Sequence, residues 1–308
     1  MMASDKRPAD FVTSRRTSPS KKVRRENFVG WLFTLPALLI YAFFVLVPFV
    51  LTILYSFFRW NGVGPMTWVG VKNYISVLQV PNLVGTIINA FWLVVWFSFI
   101  PVGLIVASVI HRVATGRFGA FARTVLFLPQ VIALVAAGII WGWLFALPGL
   151  INQILKAVGL GVFTRAWLGD FNWALPSVGI VGVWVLLGFC IVLLQTGMAK
   201  IDPSLYESAR LDGANWFQEF RAITVPLLRH EIGVCVTVTV IAALAAFDII
   251  WVTTAGGPGN STSVPGIQIY ILAFTQRSIG LASALAVMLM LLVVIVILPI
   301  QWLTREVE

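Results

Sequence analysis

Seven stretches of this chain contain no Asp, Glu, Lys or Arg, and they constrain its fold more than any other feature. They run over 27–58, 73–110, 124–155, 171–199, 232–247, 249–276 and 278–304. A helix that crosses a bilayer needs ~20 predominantly apolar residues. A backbone in hydrocarbon must pair its own polar groups, which here favours helices. Charged residues make up 11% of the chain and hydrophobic ones 59%, whereas soluble domains carry about 25% charged residues. A soluble fold would have an oversized core and too little charge to cover it. The expected spans are Trp31–Phe58, Gly85–Ile110, Ala122–Leu147, Leu175–Gly197, Ile232–Thr254 and Leu281–Leu303. The fold class is therefore all-α, an integral membrane protein of six transmembrane helices. Ser263–Phe274 is apolar but too short to cross, and it reads as a loop or re-entrant turn on the outer side.

The net charge of +9 would suit a nucleic-acid binder, but the placement of the charges argues otherwise. Eight of the 21 Lys and Arg lie in the first 25 residues. That tail (1–26) lacks apolar periodicity and is expected to be disordered. The apolar run behind it is too long, and lacks the small-residue site, for a cleaved signal peptide. A basic flank before a hydrophobic span holds an N-terminus in the cytoplasm and can also touch anionic lipid. With six spans both termini share a side; that side holds 16 Lys and Arg and the opposite side 5, so both termini are expected in the cytoplasm. Cys190 and Cys235 lie in apolar segments without metal-ligand spacing and read as small buried residues.

The connection 198–230 is the longest on the cytoplasmic side, and its chemistry is that of a folded segment. Asp202 before Pro203 supplies an N-cap and an N1 proline. Gly213 is placed to stop that helix in a left-handed conformation. Asn215 and Gln218 have capping-box spacing for a second short helix, which Pro226 should end. Leu205, Tyr206 and Ala209 form an apolar strip on the first helix, and Trp216, Phe217 and Phe220 one on the second. Such strips pack on the chain's own bundle or dock into a partner's groove.

The run Tyr206-Glu207-Ser208-Ala209-Arg210-Leu211-Asp212-Gly213-Ala214, followed by Phe220, Ile223, Thr224, Pro226 and Leu227, resembles the EAA loop of bacterial ABC importer permeases. Within that family it is most similar to the carbohydrate type, related to the maltose and glycerol-3-phosphate importers. Ser208 and Val225 depart conservatively from the family pattern. Trp167-Leu-Gly-Asp170, Phe247-Asp248 with Thr254-Ala-Gly256-Gly257-Pro258, Leu128-Pro129 and Gly70-Val-Lys-Asn-Tyr74 extend the resemblance over all but the basic tail. The resemblance implies a transmembrane domain over 27–308 whose EAA-type loop forms coupling helices seated in a cleft of a cytoplasmic ATPase. The contact residues would be Tyr206, Glu207, Ser208, Ala209, Asp212 and Gly213. Glu207 would make a charged contact, Ala209 would permit close approach and Gly213 would supply the bend. The implied partners are a second homologous permease subunit, two ATP-binding cassette subunits, an extracytoplasmic solute-binding protein and membrane lipid, in a bacterial inner membrane.

No cofactor is expected in this chain itself; ATP and Mg would be held by the ATPase partners. The nearest Gly-rich stretch, Gly256-Gly-Pro-Gly-Asn-Ser-Thr262, has Asn260 where a P-loop needs Lys. His111 and His230, the only histidines, are too far apart in sequence to suggest a His-based metal site. No catalytic activity is expected. For the solute pathway, Asp248 is the one acidic residue inside an expected span, and it reads either as a pathway residue or as a cap on the Gly-Gly-Pro turn. Gln130 and Trp141 would share a face of the third span, with Ala133 and Ala137 between them. Trp184, Gly188 and Gln195 would share one of the fourth. Aromatic faces and amides suit sugar rings, which makes Gln130, Trp184 and Asp248 the pathway candidates; small residues at such positions more often serve helix contact. An ion-coupled secondary transporter is the alternative, but it would call for more intramembrane charge and commonly an inverted repeat.

Overall fold

Two of the π turns along the helices lie beside prolines, Pro48 and Pro226. The computed structural model describes residues 21–113 and 116–304. Of the basic tail, residues 1–20 lie outside the described residues, whereas 21–26 begin a helix. The chain divides into two units, Met1–Leu51 and Thr52–Glu308. Helix α1 (Lys21–Tyr41) continues through a π turn, Ala42–Leu46, into α2 (Val47–Tyr55). Val47 N–H closes that turn on the carbonyl of Ala42 immediately before Pro48. The wider turn makes room for a ring that would otherwise meet the carbonyl four residues back. The stretch Trp31–Tyr55 is 25 residues long and apolar enough to cross a membrane.

The second unit opens with a hairpin, β1 (Phe58–Arg59) and β2 (Thr67–Trp68), pairing Phe58 with Trp68 and Arg59 with Thr67. It continues through α3 (Lys72–Gln79), α4 (Pro81–Phe97), α5 (Ile100–Val113), α6 (Gly116–Val131), α7 (Leu134–Leu144), α8 (Leu150–Ala157) and α9 (Ala174–Met198). Then come α10 (Pro203–Leu211), α11 (Trp216–Glu219), α12 (Val225–Leu227), α13 (Arg229–Leu244), α14 (Asp248–Thr253), α15 (Pro265–Tyr270) and α16 (Ile279–Leu303). By length and composition Pro81–Arg112, Ala174–Met198 and Ile279–Leu303 can each cross a membrane. Two bent pairs, Gly119–Val131 with Leu134–Leu144 and Trp216–Leu227 with Arg229–Leu244, bring the described spans to six when each counts as one.

Contacts sort the second unit into two ends. At one end Asn73 Nδ2 donates to the carbonyls of Ser56 and Phe58, and Asn89 Nδ2 to those of Asn260 and Ser263. At the other, Arg112 meets Glu219, Lys200 meets Glu231, and Thr304 closes on Gly233. Five successive passes run alternately between these ends.

Helix α9 lies at the centre because it is apolar on every face; Val178, Val181, Val185, Ile191 and Leu194 are all buried. Its glycines let neighbours approach closely. A Cβ on Gly179 would sit 2.7 Å from the Trp96 side chain, one on Gly182 would enter the Phe97 ring, and one on Gly188 would strike the Leu126 carbonyl. Gly188 thus serves helix contact, the ordinary role of small residues in membrane bundles. Cys190 and Cys235 are buried free thiols where α9 meets α13, with Cys235 Sγ 3.9 Å from the Cys190 carbonyl.

Three expectations need correction. The third span is not straight: its halves meet at 99° across Ile132 and Ala133. The fifth does not reach Thr254, since α13 ends at Leu244 and the chain restarts as α14. Ala245, Ala246 and Phe247 carry no helix-breaking residue; the break places Val252 of α14 against Gly138 of α7 and buries Ile249 and Ile250. Of the two readings of the following apolar segment, the loop fails and the re-entrant one is not contradicted: residues 265–275 form a short apolar helix with Ile267 and Leu272 buried.

Candidate functional site

The 198–230 segment folds as its local chemistry dictates. Asp202 Oδ1 accepts the Ser204 N–H at 2.9 Å, and Pro203 occupies the first turn of α10. The Ser204 backbone bond, followed by its side chain, holds the Asp202 carboxyl below the usual aspartate range. At the other end Gly213 takes φ +85. Its N–H bonds the Arg210 carbonyl at 3.0 Å while the Ala214 N–H bonds that of Ala209 at 2.9 Å, which is the Schellman pairing. Asn215 and Gln218 complete a reciprocal capping box at 2.8 and 3.0 Å. Pro226 does not end the second helix. A π turn over Phe220–Thr224 accommodates it, the helical turns run to Leu227, and the 72° bend falls at Leu228.

On this helix pair Glu207, Ser208, Asp212 and Gly213 are exposed, and Tyr206 and Ala209 are half-buried. The Tyr206 hydroxyl pairs with Thr224 Oγ1 at 3.0 Å, and Trp216 stacks on Phe220 at 5.4 Å. These contacts tie the segment together, and Phe220 packs it against the buried cluster that includes Leu104, Ala107 and Leu194. Leu211 at 89% and Phe217 at 60% exposure leave apolar surface outward, beside the carboxylates of Glu207 and Asp212. The sequence reading passed over Glu219. It is 4% exposed, with Oε1 taking Arg210 Nε at 2.8 Å and Oε2 facing Arg112 at 3.9 Å. The bond to Glu219 keeps the Arg210 guanidinium more firmly protonated than usual. The signal available was a Glu next to the aromatic Phe220, on the side of the short helix that must be buried.

At the opposite end the remaining motifs prove architectural. Asn152, 1% exposed, donates to the carbonyls of Ala146, Leu147 and Arg165 and accepts from Trp167 Nε1 at 2.9 Å. Asp170 Oδ1 accepts the N–H groups of Asn172 and Trp173 just before α9. The Gly-Gly-Pro turn is held by the Thr254–Thr262 hydroxyl pair at 2.7 Å, the Thr262 bond to the Gly257 carbonyl and the Asn89 amide. Asp248 does not cap that turn. It is exposed, opens α14, and lies on a largely apolar cavity of about 210 Å³ whose lining includes Phe97, Val185, Leu186, Ala242 and Phe247.

The other pathway candidates are brought together only in part. Trp184 of α9 meets Trp141 of α7 edge to face at 5.6 Å, and α7 also packs on α14, which carries Asp248. Gln130 does not share a helical face with Trp141, because the 99° bend separates them. The Gln130 Oε1, the Trp141 Nε1 and both amide atoms of Gln195 are buried with no hydrogen-bond partner among the described residues. Among those residues no cluster of His, Cys, Asp or Glu could hold a metal ion.

A helical bundle with up to six candidate spans and a capped helix pair at one end is the framework of a multi-span membrane protein. Residues 99–308 match the family described as "Binding-protein-dependent transport system inner membrane component", and the chain belongs to that family. It is 35% identical to the probable ABC transporter permease protein YurN of Bacillus subtilis (strain 168), over 86% of this chain and 91% of that one. It is 32% identical to the trehalose/maltose transport system permease protein MalF of Thermococcus litoralis, over 87% and 91% of the two chains. The fold is shared with a chain of a bacterial ABC transporter involved in import of the acidic polysaccharide alginate. That match has a TM-score of 0.78 and 21% identity, over 93% of this chain and 98% of the other.

Proposed function

We propose that this chain forms half of the pathway of an ATP-driven importer for a sugar or sugar-like solute. A second homologous permease subunit forms the other half, an external binding protein delivers the solute, and two separate ATPase subunits hold ATP and Mg. Relatives named for trehalose/maltose and for starch degradation products support the carbohydrate class. The excess of Lys and Arg on one side supports cytoplasmic termini in a bacterial inner membrane.

The observation that carries the reading is α10–α11. Both helices are short and capped by side chains; Tyr206 and Trp216 hold the segment together and Phe220 packs it on the bundle. Their other face presents Glu207, Ser208, Asp212 and Leu211 outward. A rigid element with one apolar and acidic face free suits a lever gripped by a partner. Glu207 makes the charged contact, Ala209 allows close approach and Gly213 supplies the bend. As the ATPases close, the pair moves with them and the bundle alternates its access. Within the bundle Asp248, beside an apolar cavity, accepts hydrogen bonds from solute hydroxyls, and Trp184 and Gln130 are further pathway residues outside that cavity. The chain itself performs no chemistry in this scheme.

Reversal of the Glu207 charge tests the assignment. Glu207→Arg is expected to abolish co-purification of the ATPase and ATP-dependent uptake together. Unimpaired assembly and unimpaired uptake would refute the coupling role.

A further inference from the structure

A carboxylate at 4% exposure inside a cytoplasmic loop needs a reason, because a buried charge is costly unless it is paired. Glu219 divides its two oxygens between two elements. Oε1 takes Arg210 on α10, and Oε2 faces Arg112 at the end of the long span Pro81–Arg112. Both arginines are about half exposed, so solvent screens their side of each pair, while the buried carboxylate depends on them for its pairing. Their placement is the more informative feature. Between the end of α5 and α10 lies a cavity of about 440 Å³, lined by Ser108 and His111 of α5, Met198, and Pro203 and Tyr206 of α10. Side-chain packing is therefore thin where a moving α10 would have to push on α5. The arginine–glutamate–arginine bridge crosses that thin region.

We infer that Glu219 is a positioning residue that carries displacement of the coupling helix to the span Pro81–Arg112, by way of Arg210 on one side and Arg112 on the other. The inference rests on the coupling role proposed for α10. It adds a side-chain route to the span Pro81–Arg112, beside the backbone connections to α9 and α13 and the Tyr206–Thr224 contact. Buried Glu219 supplies the fixed point, since its two oxygens set the separation of the two guanidinium groups. A shorter or neutral side chain would leave both helices in place and loosen their mutual registration.

The test uses the complete importer in proteoliposomes, with ATP hydrolysis and solute uptake measured on the same preparations. Glu219→Gln and Arg112→Gln are expected to retain bound ATPase and most of the hydrolysis, while uptake per ATP falls about tenfold, a typical inter-site coupling. Arg112→Lys, which keeps the charge, should restore most of that ratio. Arg112→Gln covers the case in which Glu219→Gln fails to fold, because Arg112 is half exposed. Unchanged uptake per ATP in Arg112→Gln would overturn the inference. So would a loss of hydrolysis, uptake and assembled complex in equal proportion, which would mark the bridge as merely structural. A Glu207→Cys cross-link to the ATPase in the otherwise native complex tests the underlying coupling role separately. If that cross-link is absent, the coupling role itself fails; if it is present with uptake per ATP unchanged, only the bridge fails.

Discussion

Gly213 offers a perturbation that acts on the backbone alone. Its φ is +85, and a Cβ built there would meet no atom within 4 Å, so Gly213→Ala introduces left-handed strain and no clash. That conformation costs an L-residue about 1–2 kcal/mol. Alanine also restricts the unfolded chain, which returns about 0.4–1 kcal/mol. The net is roughly 1 kcal/mol against the capped state, or about a fivefold change in population. The capped state is reported by one amide, the Ala214 N–H bonded to the Ala209 carbonyl at 2.9 Å. Hydrogen exchange of that amide by local opening should accelerate about fivefold in Gly213→Ala. Gly213→Asn should accelerate it less, because Asn tolerates the left-handed region. Gly213→Val should accelerate it more, since a β-branched residue tolerates it least. Gly213→Pro should disrupt the cap outright, because φ is locked near −65° and the N–H that bonds the Arg210 carbonyl is lost. If Ala exchanged no faster than Gly, or Val no faster than Asn, the cap would not depend on the left-handed turn and the argument would fail.

Two further outcomes follow from the geometry. Gly188→Ala should lower the unfolding temperature of the detergent-solubilised protein, because the new methyl overlaps the Leu126 carbonyl and neither backbone can yield; overpacking of this kind costs about 1–3 kcal/mol. Gly142→Ala, with open space around it, is the control and should show no loss; equal melting of the two variants would refute the close-contact reading. For Asp202 the folded pKa lies below the unfolded one, so its capping contribution is complete above the ordinary aspartate value (~3.9) and is lost as pH falls through the lower folded value. Protection of the Ser204 amide should therefore decline on acidification in the native chain and stay flat over that range in Asp202→Asn; parallel pH profiles would sink the assignment.

What could be read before folding was local or periodic. The caps at Asp202, Gly213 and Asn215–Gln218 depend on partners no more than five residues away, so residue type and spacing suffice to specify them. Spans are legible for a related reason, since lipid demands length and apolarity of the segment itself. Observed and expected limits agree within a few residues at Ala174–Met198 and Ile279–Leu303.

The breaks at Ile132–Ala133 and Ala245–Phe247 were decided by tertiary structure. An apolar run states that a segment belongs in lipid and says nothing about where it bends. The second bend has no Pro or Gly and is stabilised by α14 packing on α7. The same limit hid Asn152 and Glu219. A polar residue on a short helix between spans looks solvated until the carbonyls of Ala146, Leu147 and Arg165, or the guanidinium of Arg112, are folded against it. Sequence alone thus determined a membrane bundle bearing a capped helix pair. Only the packed chain decided which charges are buried, because burial is a property of neighbours distant in sequence.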